Sequence, residues 1–306
     1  MIDDAPQSRD EAGEPDTVQA WLRTLLPANG SGRLGASGLR VFNQILGHPG
    51  DASYATATEM AETAQTSISS VTRLAQRLGY DGWPDLQRNL RVRHLARLSL
   101  MDVADAHGGS PTPFQASVRQ DADSLTASLR SLSEQQVMRI ATRLAAAESI
   151  YAVAEGSFAA VAHALLHNIR LAGYPARALL DNAASIANHV SRFTPTDLLI
   201  VCSYWRLYDV DVIAAAEAHA HGATVIVIAD NISPALEASA DDVLLVPAEG
   251  RSFFPSLTAA MAVQQGLVAT LASLDPERTR KSMVVAEDAW QQFKILHRSV
   301  TRTKQA

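Results

Sequence analysis

The chain has 306 residues, enough for two domains with separate cores, and its 47% hydrophobic and 19% charged content is that of a globular protein. No apolar run approaches the roughly 18 residues of a membrane-spanning helix, and the acidic start MIDDAPQSRDEAGEPD has no apolar core of the kind a signal peptide carries. A single cysteine, Cys202, forbids an intrachain disulfide and fits a reducing bacterial cytoplasm, while a net charge of −6 speaks at first sight against nucleic acid.

Residues 1–17 are expected to form a disordered acidic tail. A short helix over 18–26 is ended by Pro27, and the stretch NGSGRLGASG leads to a helix over 39–46 closed by Gly47 and Pro49. Thr56 and Glu59 then stand at capping-box spacing, and Ala57, Met60, Ala61 and Ala64 give the helix they open one apolar face. A tight turn at Gln65 and Thr66 follows. Ser67 is placed to cap the next helix, whose apolar Ile68, Val71, Leu74 and Leu78 recur at helical spacing. Its other face carries Ser69, Ser70, Thr72, Arg73, Gln76 and Arg77, side chains able to bond phosphates and base edges. Two short helices on a tight turn, the second basic and hydroxyl-rich, form a helix-turn-helix pattern. Gly79 stops that helix, and a longer one runs over 84–106. Between residues 66 and 98 six arginines face two acids, a local net charge of +4. This surface is either an ordinary solvated face or one turned to phosphates, and its adjacency to the helix-turn-helix favours the second. An all-helical DNA-binding domain over 18–106 thus ends at HGGSPTP, residues 107–113, a linker by its glycine and proline content.

Two further helices, 117–129 and 134–147, open the second domain, 114–297; Ser133 and Gln136 have capping-box spacing. Beyond Ser149 the runs SIYAVAE, ARALL, DLLIVCS, TVIVIAD and DVLLVP alternate with helical segments. Continuous apolar strands between helices predict a five-stranded parallel sheet covered on both faces, a doubly wound α/β domain. Gly173 and Gly222 sit where two of its helices should stop. Ligands in such sheets bind beyond the carboxyl ends of the strands, which here means the loops 155–158, 203–208 and 230–234. A last helix over 276–296, bearing Val284, Val285, Trp290, Phe293 and Leu296, is a candidate self-association element, and 298–306 is a tail.

Together the two halves resemble the RpiR family of bacterial transcriptional regulators, which joins a helix-turn-helix domain to a sugar isomerase (SIS) domain. The likeness spans residues 18 to 275. It rests on the pattern from Ser67 through Val71, Arg73, Leu74, Leu78, Gly79, Tyr80 and Gly82 to Leu86, and on AEGSFAAVA, DLLIVCS, HGATVIVIAD and SPALEASADDVLLV. The resemblance implies a double-stranded DNA operator, self-association as a dimer or tetramer, and a small-molecule effector. It puts DNA contacts on Ser67, Ser69, Ser70, Thr72, Arg73 and Arg77. Arg73 either reads a base or serves the fold by pairing with Asp81 or Asp85.

The effector loops depart from the family pattern. Its first phosphate loop, G-x-G-x-S, reads here Ala154, Glu155, Gly156, Ser157, Phe158; its second, S-x-S-G-x-T, reads Ser203, Tyr204, Trp205, Arg206, Leu207, Tyr208. Bulky Trp205 and Tyr208 cannot close around a phosphate as small residues do. The expected ligand set is Gly156, Ser157, Ser203, Tyr204, Arg206, Tyr208 and Asp230, for a small anionic metabolite paired with Arg206 and walled by aromatic rings. These aromatics could instead fill a collapsed pocket or an interface.

Catalysis finds less support. Glu155 and Glu249 lie near the rim without a partner by spacing. His163 and His167 stand at i, i+4 but lack a carboxylate to complete a metal set. Cys202, inside an apolar run, reads as a core thiol. No enzyme, cofactor or metal is expected. An isomerase-like enzyme and a SIS-like oligomerisation scaffold are the alternatives.

Overall fold

The computed structural model describes residues 18–26, 34–95, 112–251 and 254–295. Both expected tails, most of the 107–113 linker, Arg97 and Leu296 lie outside those residues. Contacts divide the chain into two units, residues 1–98 and 99–306.

The first unit is helical: α1 (Val18–Thr24), α2 (Ala36–Gly47), α3 (Pro49–Tyr54), α4 (Ala57–Thr63), α5 (Ile68–Arg77) and α6 (Trp83–Leu95). Helix α3 departs from expectation. Pro49 does not merely close α2; it opens the next helix at the first position, where a missing N–H costs nothing and φ is already helical. Leu22, Val41, Ile45, Val71, Leu74, Leu86 and Leu90 meet in one core. Trp83 is buried beside them and its indole N–H donates to Ala55 O at 2.9 Å. Two arginines of the basic stretch tie helices together. Arg91 donates to Ser53 O at 2.8 Å and lies over the Tyr54 ring, and Arg93 lies over the Trp21 ring at 4.7 Å. Arg88 pairs with Asp85 at 3.3 Å. Among the described residues, the face expected to extend the phosphate surface is therefore largely committed to the fold.

The second unit opens with α7 (Pro113–Ser131) and α8 (Glu134–Ala146), the latter capped by Ser133, whose hydroxyl accepts from Gln136 N. Then come β1 (Ser149–Val153), a 3-10 turn over Gly156–Phe158, α9 (Ala159–Leu171), β2 (Ala176–Ala178), α10 (Ala183–Val190), β3 (Asp197–Ser203), α11 (Asp209–Ala220), β4 (Thr224–Ala229), α12 (Pro234–Glu237), β5 (Asp242–Leu245), α13 (Thr258–Leu274) and α14 (Pro276–Gln292). All five expected strands form one parallel sheet in the order β2-β1-β3-β4-β5. Apolar clusters line both faces: Ile150, Leu165, Ile200 and Leu267 on one, Val153, Val190, Val201 and Val225 on the other. This two-sided burial is why the strands read as unbroken apolar runs. Gly173 and Gly222 end α9 and α11 at φ +91° and +80°. At Gly173 a Cβ would stand 2.9 Å from an Arg278 side-chain carbon of α14, so that helix also packs against the bare glycine.

The chain runs from β1 outward to β2, then returns to β3 on the other side of β1. The order reverses between β1 and β3, and a crevice at such a switch point is where open α/β sheets bind ligands.

Candidate nucleic-acid interface and effector rim

Helix α4 begins with the expected capping box: Glu59 N donates to Thr56 Oγ1 and Thr56 N to the Glu59 carboxylate at 2.7 Å. It ends in a Schellman motif. Gln65 takes φ +50°, Gln65 N reaches Glu62 O at 3.0 Å, and Thr66 N reaches Ala61 O at 2.8 Å. Arg40 of α2 seals this turn by donating to Ala64 O and Gln65 O. The angle between α4 and α5 is thus held by backbone and side-chain bonds together. Helix α5 closes the same way at Gly79, with Tyr80 N bonded to Ala75 O.

On α5, Val71, Leu74 and Leu78 are buried, while Ser69, Arg73, Gln76 and Arg77 are exposed. Three expectations need correction. Ile68 was assigned to the apolar face but is 49% exposed, at the leading end of the helix. Ser67 sits at the capping position without bonding the helix backbone; its hydroxyl meets that of Ser70 at 3.0 Å. Ser70 is buried in that pair, so its hydroxyl faces the protein. Thr72 bonds back to Ile68 O at 3.3 Å and keeps partial exposure. Arg73 makes no ion pair among the described residues, because Asp85 is engaged by Arg88 and by Asp81 N. Arg73 and Arg77 instead line a cleft of about 290 Å³ facing the first residues of α2, Gly35 to Gly38.

In the second unit, the crevice between β1 and β3 is framed by the two loops singled out from sequence. Gly156 adopts φ +59° and, with Ser157, is exposed. Tyr208 lies over it, its hydroxyl 3.7 Å from where a Gly156 Cβ would stand. Trp205 holds φ +61°, unusual for a bulky residue, and its N–H donates to both carboxylate oxygens of Asp230, at 2.9 and 3.0 Å. The Arg206 guanidinium stacks over the Trp205 ring at 4.8 Å. Tyr204, expected as a wall of the site, is 1% exposed and packs against Phe158 in the core. Ser203 is buried at the end of β3.

Asp211 is the residue that sequence reasoning missed. It lies in the first turn of α11, 1% exposed, and neither carboxylate oxygen has a hydrogen-bond partner; the nearby Ser203 hydroxyl comes close without completing a bond. Burial pushes its carboxyl up to about 7, eased by Ser203 and reinforced by the charge of Glu155. Burial likewise pushes Asp230 up to about 7, against the Trp205 and Asp230 N–H groups that favour its ionised form and with the charge of Glu249 adding to the rise. Four carboxylates therefore border the crevice, from the ends of β1 and β4, the start of α11 and the segment after β5. The Cys202 thiol is pushed up to about 12 by burial, which suits a core residue and not a nucleophile. His163 and His167 are exposed on α9, and the described residues hold no group of three or more metal-type ligands.

The comparisons with known proteins follow the same two-part division. Residues 29–96 match a model described as helix-turn-helix domain, rpiR family, and residues 143–271 match the SIS domain. YfhH, an HTH-type transcriptional regulator of Escherichia coli K12, is 27% identical over 264 residues, covering 81% of this chain and 93% of its own. The sugar isomerase domain of an RpiR transcription factor from Sphaerobacter thermophilus superposes with TM-score 0.55 at 26% identity, covering 58% of this chain and 99% of its own. NanR of Vibrio vulnificus, in complex with ManNAc-6P, has TM-score 0.55 at 21% identity, over 90% of this chain and 99% of its own. The last likeness speaks to fold. No helix of the described residues is long and apolar enough to cross a membrane.

Proposed function

Because the chain belongs to the RpiR family of helix-turn-helix regulators, we propose that it binds operator DNA through α5 and adjusts that binding to a metabolite held at the β1–β3 crevice. The observation that carries this reading is the exposed polar face of α5, set on a turn closed by a Schellman motif and by Arg40. A helix fixed in this way enters a major groove as a rigid element. Ser67, Ser69, Thr72, Arg73 and Arg77 are the proposed contacts. Ser70 supports Ser67 from beneath.

One such helix reads few bases, so specificity calls for at least a dimer on paired half-sites, matching protein symmetry to operator symmetry. An effector regulates this assembly only by binding its two DNA-affinity states unequally; a coupling of about 1–3 kcal/mol is typical. ManNAc-6P bound to NanR supports a sugar phosphate as one candidate effector. The anionic ligand expected from Arg206 sits less easily with this crevice, where one guanidinium faces four carboxylates.

The test is Arg73→Ala, read by fluorescence anisotropy against the gene's own upstream DNA across a salt series. A bidentate arginine on guanine is worth about 1–3 kcal/mol, so affinity should fall by roughly one order of magnitude while thermal unfolding is unchanged, since Arg73 holds no partner in the fold. Equal affinity for wild type and variant at every salt concentration would remove Arg73 from the interface.

A further inference from the structure

A phosphate cradle in this fold needs two things: free backbone N–H groups in the loop after β3, and open space above the loop after β1. Neither is free here. The Trp205 N–H is taken by both oxygens of Asp230, and the Tyr208 hydroxyl roofs Gly156. The amino end of α11, a third feature that draws anions, already carries Asp209 and Asp211 in its first turn. The chain's own carboxylates stand where a bound phosphate would.

What the crevice lacks is donors. Asp211 is buried with both oxygens unpartnered, and the Ser203 Oγ and Tyr204 Oη beside it are buried without partners too. Glu155 and Glu249 add charge from the ends of β1 and β5, Glu249 being held by Gln120 Nε2 at 3.4 Å. Unmet buried carboxylate oxygens are costly, and a charged donor is the group that relieves them. A phosphate brings acceptors and like charge; an ammonium brings three donors and opposite charge. The Trp205 ring, already under the Arg206 guanidinium at 4.8 Å, shows that this loop accommodates a cation against an aromatic face.

We infer that the β1–β3 crevice takes a small primary amine, its ammonium group bonded to Asp211 and neutralised by the surrounding carboxylates, in place of a phosphate. This inference rests on the effector-site reading above and names the ligand class for that site. The ammonium donates to the Asp211 oxygens, Ser203 accepts from it, and Tyr208, the most exposed aromatic of the loop, closes over the rest of the molecule.

Thermal unfolding of the full chain near pH 8 decides the matter. The probes are ethanolamine, putrescine and glucosamine on one side, and inorganic phosphate, glycerol 3-phosphate and glucose 6-phosphate on the other. At least one ammonium probe should raise the melting temperature by several degrees, the phosphates should not, and both Asp211→Asn and Glu249→Gln should abolish the rise. Circular dichroism checks that each variant is folded. Stabilisation by a phosphate probe, or none by any of the three amines, overturns the inference. DNA anisotropy on the same samples keeps the two readings apart: failure to bind DNA counts against the regulator, while the melting shifts still report the ligand class.

Discussion

Methionine at both Arg139 and Arg143 is expected to destabilise the second unit by about 3–5 kcal/mol, the usual cost of stripping a buried charge of its partners. Asp242 starts the edge strand β5 with its side chain 2% exposed, and it is held by Arg139 at 2.6 Å and Arg143 at 2.7 Å from α8. Gln136, on the same helix face, donates to Val243 O at 2.7 Å. Three side chains spaced i, i+3, i+7 thus fasten α8 along β5, covering the strand that has no neighbour beyond it. Methionine keeps the aliphatic stems and removes only the charges, leaving a carboxylate in an apolar setting with nothing to answer it. Adding Asp242→Asn to the double variant should recover most of the loss, because the uncompensated charge is then gone. Urea unfolding of the three proteins measures both steps. A double variant as stable as wild type, or a triple variant no better than the double, would show that the ion pairs do not fasten this edge.

The strands were legible in the sequence for a local reason. A strand covered on both faces needs no alternation, so DLLIVCS and TVIVIAD announced themselves without any knowledge of their neighbours. The helix-turn-helix was legible for a similar reason: the Thr56–Glu59 box, the turn at Gln65 and the stop at Gly79 are short-range signals, and each formed as read. What escaped notice depends on distant partners. Pro49 was read as a stop because proline ends helices, though it begins them equally well. Ser70 looked like a contact residue until the Ser67 hydroxyl took it up. Tyr204 looked like a pocket wall, but Phe158, more than forty residues earlier, draws its ring into the core. Asp211 gave no signal at all. An acid in the first turn of a helix is ordinary, and only the folded chain reveals that this one is buried, unpartnered and beside Glu155.

Asp211 also fixes a pH dependence. Its carboxyl, near 3.8 in an unfolded chain, is pushed up to about 7 in the folded one. Between those values the folded protein holds a proton that the unfolded chain has released, so stability is highest near the lower value and falls as pH rises toward the upper. Above it the loss is complete, at about 1.36 kcal/mol per pH unit of displacement, or about 4 kcal/mol in all. Asparagine has the same shape and no charge to bury. Asp211→Asn is therefore expected to match wild type near pH 5 and to exceed it near pH 8, by up to about 4 kcal/mol. Asp230, displaced the same way and still present in the variant, leaves a residual slope, so the pH dependence shrinks without vanishing. Urea unfolding at the two pH values measures the difference. A variant less stable than wild type near pH 8 would mean that the Asp211 carboxylate is compensated inside the fold, and the crevice would then have no unmet charge with which to draw a cationic ligand.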